Sequence, residues 1–396
     1  MPGAAETVSA LLLENGERLE CDFLLLTVGR GGWALPTVSA DAMASLDARV
    51  SHYERAAATL DSMHSVVVIG GGEMGVEAAA ELACLKHGPT IISLICGSPT
   101  LLPSLPPSAG IAAAAWLRAR GVTLMMGEKV TNWNGAQRGA GFARHPDGLW
   151  ELTTDKSLLK AACVWDATGT GMSAARPLLA NVAAQAADKS GAAAVTSSLR
   201  IRGLRNAFAA GDAASGTGGN ALSAEVSASF AAQQLLALIA AAKAEPAQPA
   251  SSGGPSLSLR RRRGTRPAVA PSPLKEFVPP PRIAAVSLGP ASGVLVVDSL
   301  VLSGRFWGLV TAIVRAVIKK VQVALALERP GSQTVWRLLE ATALNVLPKV
   351  LPLAHAATEA AGELLEWAGG RVPRASAALS FVALCAVWGV RASSGV

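Results

Sequence analysis

Ser65-Val66-Val67-Val68-Ile69-Gly70-Gly71-Gly72-Glu73-Met74-Gly75-Val76-Glu77 is the stretch whose reading decides the fold. A short β-branched run predicts a buried strand. It leads straight into Gly70-x-Gly72-x-x-Gly75 and then an Ala-rich helix over 76–86. That strand–glycine–helix order is the context a dinucleotide fingerprint requires. Gly70 permits the sharp turn, Gly72 lets a pyrophosphate approach the backbone, and Gly75 lets helix and strand pack closely. Gly71 completes the loop, and free N–H groups at the helix N-terminus face the phosphates. The competing reading is a plain glycine-rich turn.

Outward from this stretch the pattern repeats. Ile91 to Ile95 predicts a second strand, 111–120 a helix, Val122 to Met125 a third strand, and Ala161 to Trp165 a fourth that ends at Ala167-Thr168-Gly169. Such alternation is a βαβ series and implies a parallel sheet covered by helices. The fingerprint usually ends with an acid at the close of the second strand, which binds the adenosine ribose. Here that strand closes Leu94-Ile95-Cys96-Gly97-Ser98, with neither a carboxylate nor an arginine, so the residues leave NADH and NADPH both open. Upstream, Val8 to Leu13 and the buried run Phe23 to Val28 read as two strands around the Asn15-Gly16 turn. Residues 41–60 read as a helix with Asp41 as its cap. Downstream, 199–212 reads as a strand ending in Gly211-Asp212, followed by a helix at 221–242.

The chain has 396 residues, 51% hydrophobic and 16% charged, which excludes a wholly disordered polymer. Removing Arg260, Arg261, Arg262, Arg263 and Arg266 from the formal charge of +7 leaves +2, so no nucleic-acid surface is expected. Those arginines sit in a Pro/Ser/Gly-rich linker and read as a solvated charge run. Cys21, Cys84, Cys96, Cys163 and Cys385 form no CxxC or CxxxxC pair, which excludes a short-spaced redox dithiol and a zinc knuckle. They read as small buried apolar residues in a reducing compartment. The five histidines show no metal spacing, so no metal site is expected. No secretory signal is visible, and the second residue is Pro2 where a myristoylation signal needs glycine. Residues 375–390 form an uncharged run of sixteen, short of the ~20 needed to span a bilayer. A core helix, an interfacial helix and a short anchor all remain compatible with it.

In this order, the turn after Val28 at Gly29, the Gly70/Gly72/Gly75 loop, Ala167-Thr168-Gly169 and Asn206-Ala207-Phe208-Ala209-Ala210-Gly211-Asp212 resemble the FAD/NAD(P)-binding pyridine nucleotide-disulfide oxidoreductase superfamily. Leu11-Leu12-Leu13-Glu14-Asn15-Gly16-Glu17, the GGGEMGVEAAAE segment from Gly70 to Glu81, Thr100-Leu101-Leu102-Pro103, Val286-Ser287-Leu288-Gly289 and Ser303-Gly304-Arg305 are similar to its apoptosis-inducing-factor 2-like, ferroptosis-suppressor-like branch. The resemblance implies an α/β, Rossmann-like fold with two dinucleotide domains. It implies an FAD-domain remnant at 1–30, an NAD(P)-binding domain at 31–171, the second part of the FAD domain at 172–242, a linker at 243–272, a small α+β C-terminal domain at 273–328 and an apolar helical tail at 329–396. The family places a further strand, GxGxxG and helix ahead of Gly29. Nothing in this chain supplies them, so the FAD domain is expected to lack roughly a hundred residues at its N-terminus.

The implied cofactors are FAD and NAD(P)H. Gly29, Gly70, Gly71, Gly72, Gly75, Glu77, Thr168, Gly169, Gly211 and Asp212 become the cofactor-binding set, with Asp212 on the flavin ribityl chain. Glu77 falls on a family glutamate near the nicotinamide; the alternative is a helix carboxylate stabilised by the dipole. The implied activity passes hydride from nicotinamide to flavin and electrons to a quinone-like or protein acceptor. No side-chain acid or base is required, so no catalytic residue is named. A cytoplasmic location with peripheral membrane contact through the tail completes the expectation. The alternative is an inactive homologue that only binds dinucleotide or serves as an interaction module. The family's run after Arg305 is replaced here by Ala312-Ile313-Val314-Arg315-Ala316-Val317.

Overall fold

A computed structural model describes residues 6–13, 15–29, 45–61, 63–85, 91–133, 142–145, 148–168, 175–179, 182, 185–217, 219–244 and 274–346, with 349, 352, 353 and 356. Asp41, Gly169, the linker from 245 to 273 and the 375–390 run lie outside them.

In chain order the first elements are β1 (Ala10–Leu12), β2 (Arg18–Glu20), β3 (Leu24–Leu26), α1 (Leu46–Asp61), β4 (Ser65–Ile69), α2 (Glu73–Leu82), β5 (Ile91–Cys96) and α3 (Pro107–Arg118). Then come β6 (Thr123–Met126), β7 (Val130–Asn132), β8 (Phe142–Arg144), β9 (Trp150–Thr154), β10 (Leu158–Ala161), β11 (Cys163–Asp166) and α4 (Arg176–Leu179). Last are β12 (Ala207–Ala209), α5 (Ala221–Ala244), β13 (Ile283–Ser287), β14 (Gly293–Val297), β15 (Leu300–Leu302), α6 (Gly304–Ala326) and α7 (Ser332–Asn345). The chain divides into two compact units, 1–31 with 172–280, and 32–171 with 281–396.

The second unit is built on a five-stranded sheet of order β6-β5-β4-β11-β8. Strands β6, β5, β4 and β11 run parallel, and β8 is the antiparallel edge. Every residue of β4 is buried, as a continuous apolar run covered on both faces must be. Helices α2 and α3 cover one face, where Val66, Val68, Leu94, Val76, Ala79 and Leu117 share one core. The other face packs Val67, Ile69 and Ile95 against Leu152 and Ala161 of a three-stranded antiparallel sheet, β10-β9-β7. The sequence reading does not anticipate that sheet, because its strands are short and mix polar with apolar residues. The meander β13-β14-β15 adds Val286, Val294 and Val296 to the core beneath α2 and α3. Residues 281–328 are thus packed into the nucleotide-fold unit.

The first unit corrects the N-terminal reading. The Asn15-Gly16 turn closes a hairpin of β1 with β2, pairing Ala10 with Glu20, and not with the Phe23–Val28 run. All three residues of β2 are exposed. The buried run instead supplies β3, which pairs in parallel with β12, Leu25 opposite Phe208. Asn206 joins these parts: its Nδ2 donates to the Val8 and Asp22 carbonyls at 2.6 and 2.7 Å, and its Oδ1 accepts the Val8 N–H. Helix α5 packs Ala231 and Leu238 against Phe208. Residues 274–280 also belong to this unit: Phe277 donates its N–H to the Ser197 carbonyl and lies beside Phe230. The α1 cap is Ser45, whose Oγ accepts the Ala48 N–H at 3.1 Å.

Candidate nucleotide site

The second unit gathers Gly70, Gly71, Gly72, Gly75 and Thr168 around the C-terminal end of β4, while the Glu77 side chain turns away to Ser287 and Arg315. Gly70 has φ +122°, a conformation L side chains rarely adopt, and a Cβ there would lie 2.5 Å from the Ala167 carbonyl oxygen. Its N–H is bound by the Ile95 carbonyl at 2.8 Å, which locks the loop to β5. A Cβ on Gly75 would overlap the Gly70 carbonyl oxygen, so this glycine sets the distance between helix and strand. Gly71 lies against the Cys96 thiol. At Gly72 a Cβ would meet nothing within 4 Å. It is also the N-cap of α2 and carries no side-chain cap. A glycine with open space before it and uncapped N–H groups behind it is a cradle for a pyrophosphate.

Thr168 sits at the end of β11, where its N–H and Oγ1 both bind Asp166 Oδ1, at 3.0 and 2.6 Å. Asp166 is buried, so this pair fixes the turn beside Gly70. Glu77, one helical turn past the loop, faces β13 and α6. Its Oε1 accepts the Ser287 N–H at 2.8 Å and pairs with Arg315 Nη2 at 3.2 Å. Burial pushes its carboxyl above the ordinary carboxylate range, against the opposing pull of the Ser287 N–H and Arg315; Glu73 and Glu81 push it further up. Glu81 takes the Ser287 hydroxyl at 3.2 Å.

Gly29, Gly211 and Asp212 fall in the first unit, at the ends of the paired strands β3 and β12. Gly29 has φ +71° and open space before it. Gly211 has φ +60°; its N–H donates to Ser227 Oγ at 3.0 Å, and its carbonyl accepts Thr217 Oγ1 at 2.6 Å. Asp212 follows, half-buried, in a 3₁₀ turn, Gly211–Ala213, whose other two residues are buried. Asn220 caps α5 by accepting the Ser223 N–H at 2.9 Å. Ser227 escapes a reading of the sequence, since its hydroxyl meets the Gly211 N–H sixteen residues away only after folding; Asn220, an N-cap three residues before its partner, has a local signal that could have found it. Among the described residues, no strand–glycine–helix unit accompanies them to hold a second pyrophosphate.

Of the described cysteines, Cys96 and Cys163 are buried, Cys21 is half-buried and Cys84 is exposed, which corrects the expectation that all are core residues; Cys385 lies outside the described residues. Among the described residues no three His, Cys, Asp or Glu side chains group as metal ligands.

A sequence model of the family described as "Pyridine nucleotide-disulphide oxidoreductase" matches residues 3–244. Among curated relatives, ferroptosis suppressor protein 1 of Xenopus tropicalis is 26% identical over 205 residues, and that of Xenopus laevis 28% over 207 residues. Each alignment covers 52% of this chain, which spans about half (53%) of each relative's length. Among solved structures, a Cu(II) complex of a mutant HOCl-induced flavoprotein disulfide reductase RclA from Escherichia coli overlaps 59% of this chain and 50% of its own, with a TM-score of 0.42 at 17% identity. An FAD-dependent pyridine nucleotide-disulphide oxidoreductase from Desulfovibrio vulgaris overlaps 53% and 52%, with a TM-score of 0.36 at 24% identity.

Proposed function

The chain belongs to the pyridine nucleotide-disulphide oxidoreductase family, and on that footing we propose that it is an FAD-dependent NAD(P)H oxidoreductase whose electrons go to a quinone-like acceptor. The observation that carries the reading is the Gly70–Gly75 loop, open at Gly72 and set at the N-terminus of α2 on the central strand of a parallel sheet. Bound here, a nicotinamide and a flavin would supply the hydride and electron-carrying chemistry. The chain's own part is to bind and orient. The N–H groups after Gly72 hold the nucleotide pyrophosphate. Asp212 accepts hydrogen bonds from ribityl hydroxyls, and the capped N-terminus of α5 directs its positive dipole end at the flavin ring.

Peripheral contact with a membrane belongs to the same proposal. Leu309, Ile313, Val317, Val323 and Leu327 lie on the solvent side of α6 and the turn that ends it, 43–58% exposed. Arg305, Lys319 and Lys320 accompany them, and α6 contains no acid. Helix α5 is long and apolar enough over Ala221–Ala241 to cross a bilayer, but Ala231 and Leu238 on it are buried against β12.

The test is the visible spectrum of the purified full chain before and after adding FAD. A stoichiometric flavin band bleached anaerobically by NADH or NADPH is expected. A chain that binds nicotinamide nucleotide but takes up no flavin would favour the second reading, a dinucleotide-binding homologue without flavin chemistry.

A further inference from the structure

The adenosine-ribose end of the nucleotide cradle is formed by the closing residue of β5 and its immediate successors, because in this fold that strand end reads the 2′ position. A carboxylate there would select a free 2′-hydroxyl. Here the closing residue is Cys96, 2% exposed, its thiol turned toward the Thr100 carbonyl and packed on Gly71. Burial holds that thiol above its ordinary pKa, and so neutral.

The next residue, Gly97, is crossed by the side chain of Lys129: its Cγ and Cε lie 3.2 and 3.6 Å from the position of a Cβ on Gly97. Lys129 reaches the strand end from the β6–β7 connection, far away in sequence, which is why no local signal announces it. Its placement is tied down at the backbone. Gly127 donates to the Ser98 carbonyl at 3.0 Å and Glu128 to the Cys96 carbonyl at 3.1 Å. The Lys129 N–H is held by Asp155 Oδ1 at 2.9 Å. A second ammonium, Lys156 Nζ, lies 3.6 Å from where a Cβ on Gly127 would be. Two carboxylates stand nearby, neither ion-paired with these lysines: Glu128 Oε2 accepts the hydroxyls of Thr154 and Ser157 at 2.8 and 2.7 Å, and Asp155 Oδ1 accepts the Lys129 backbone N–H. Both lysines are exposed, and among the described residues neither has an ion-pair partner.

We infer that Lys129, with Lys156 behind it, binds the 2′-phosphate of NADPH across Gly97, so that this nucleotide site selects NADPH over NADH. The inference rests on the dinucleotide reading of the Gly70–Gly75 loop. Two lysines act here as point charges on a dianion, and the strand end itself carries no acid in the place where one would select a free 2′-hydroxyl.

The test is equilibrium binding by calorimetry on the full chain, with NADPH, NADH, 2′,5′-ADP and 5′-AMP as ligands. NADPH is expected to bind at least ~10-fold tighter than NADH, and 2′,5′-ADP tighter than 5′-AMP by a similar factor, with the preference shrinking at high salt. Lys129→Ala should remove most of that preference while leaving NADH affinity within about twofold. Lys129 is exposed, so circular dichroism should be unchanged. Equal affinities for both nucleotides in the unmodified chain, or a Lys129→Ala variant that keeps the preference, would overturn the lysine assignment alone. Failure to bind either nucleotide would overturn the dinucleotide reading and the inference with it.

Discussion

Gly72 and Gly75 stand three residues apart, yet they should respond oppositely to substitution. Gly72 has an ordinary extended backbone, φ −75° and ψ −176°, with empty space where a side chain would go. Gly72→Val should therefore leave the thermal midpoint nearly unchanged and weaken nucleotide binding by ~10-fold or more, read by calorimetry. Gly75→Ala forces a methyl into the Gly70 carbonyl, and overpacking of that kind costs about 1–3 kcal/mol, read by chemical denaturation. Glu77 gives a second test at this scale. Its folded carboxyl titrates above the unfolded one because burial outweighs the Ser287 N–H and Arg315. The folded chain thus binds more protons than the unfolded one between the ordinary carboxylate range and the raised value. The Glu77 contribution is fully present below that window and is lost as pH rises through it. Denaturation of the parent chain and Glu77→Gln across mildly acidic to neutral pH should show stability falling more steeply with rising pH in the parent. Parallel curves would refute the assignment.

Among the elements, β4, α2 and β5 are legible in the sequence because each depends on near neighbours: β-branched runs, glycines and alanines at helical spacing. The β9–β10 hairpin and β7 are not, since Glu151, Thr153 and Lys160 give a half-polar pattern that only acquires a buried side once it lies on Val67 and Ile95. Helix α6 is readable as apolar, but not in its orientation. Thr311, Trp307 and Gly308 are buried, which turns Leu309, Ile313 and Val317 outward among lysines. An outward apolar face with cations and no acids suits an anionic interface. Full-length protein should sediment with phosphatidylserine-rich vesicles and not with phosphatidylcholine alone, less so at high salt. Ile313→Asp with Val317→Asp should abolish that binding without unfolding the chain, because both positions are exposed.

At the level of the whole molecule, the two groups of site residues belong to different compact units. Gly72 lies in one unit and Asp212 in the other, so their effects should separate. Asp212→Ala should weaken FAD uptake by ~10-fold, followed by flavin absorbance, and leave NADPH affinity intact. A loss of both would contradict the assignment of Asp212 to the flavin alone. What the sequence by itself determined is the βαβ unit and the positions of its glycines, because the backbone geometry at Gly70 and the close helix–strand approach at Gly75 impose residue types at fixed local spacing. Only the tertiary structure decided that β3 pairs with β12, that Glu77 meets Ser287 and Arg315, and that Lys129 crosses Gly97. Those contacts join residues far apart in the chain. They follow from how whole faces pack and register, which no local pattern encodes.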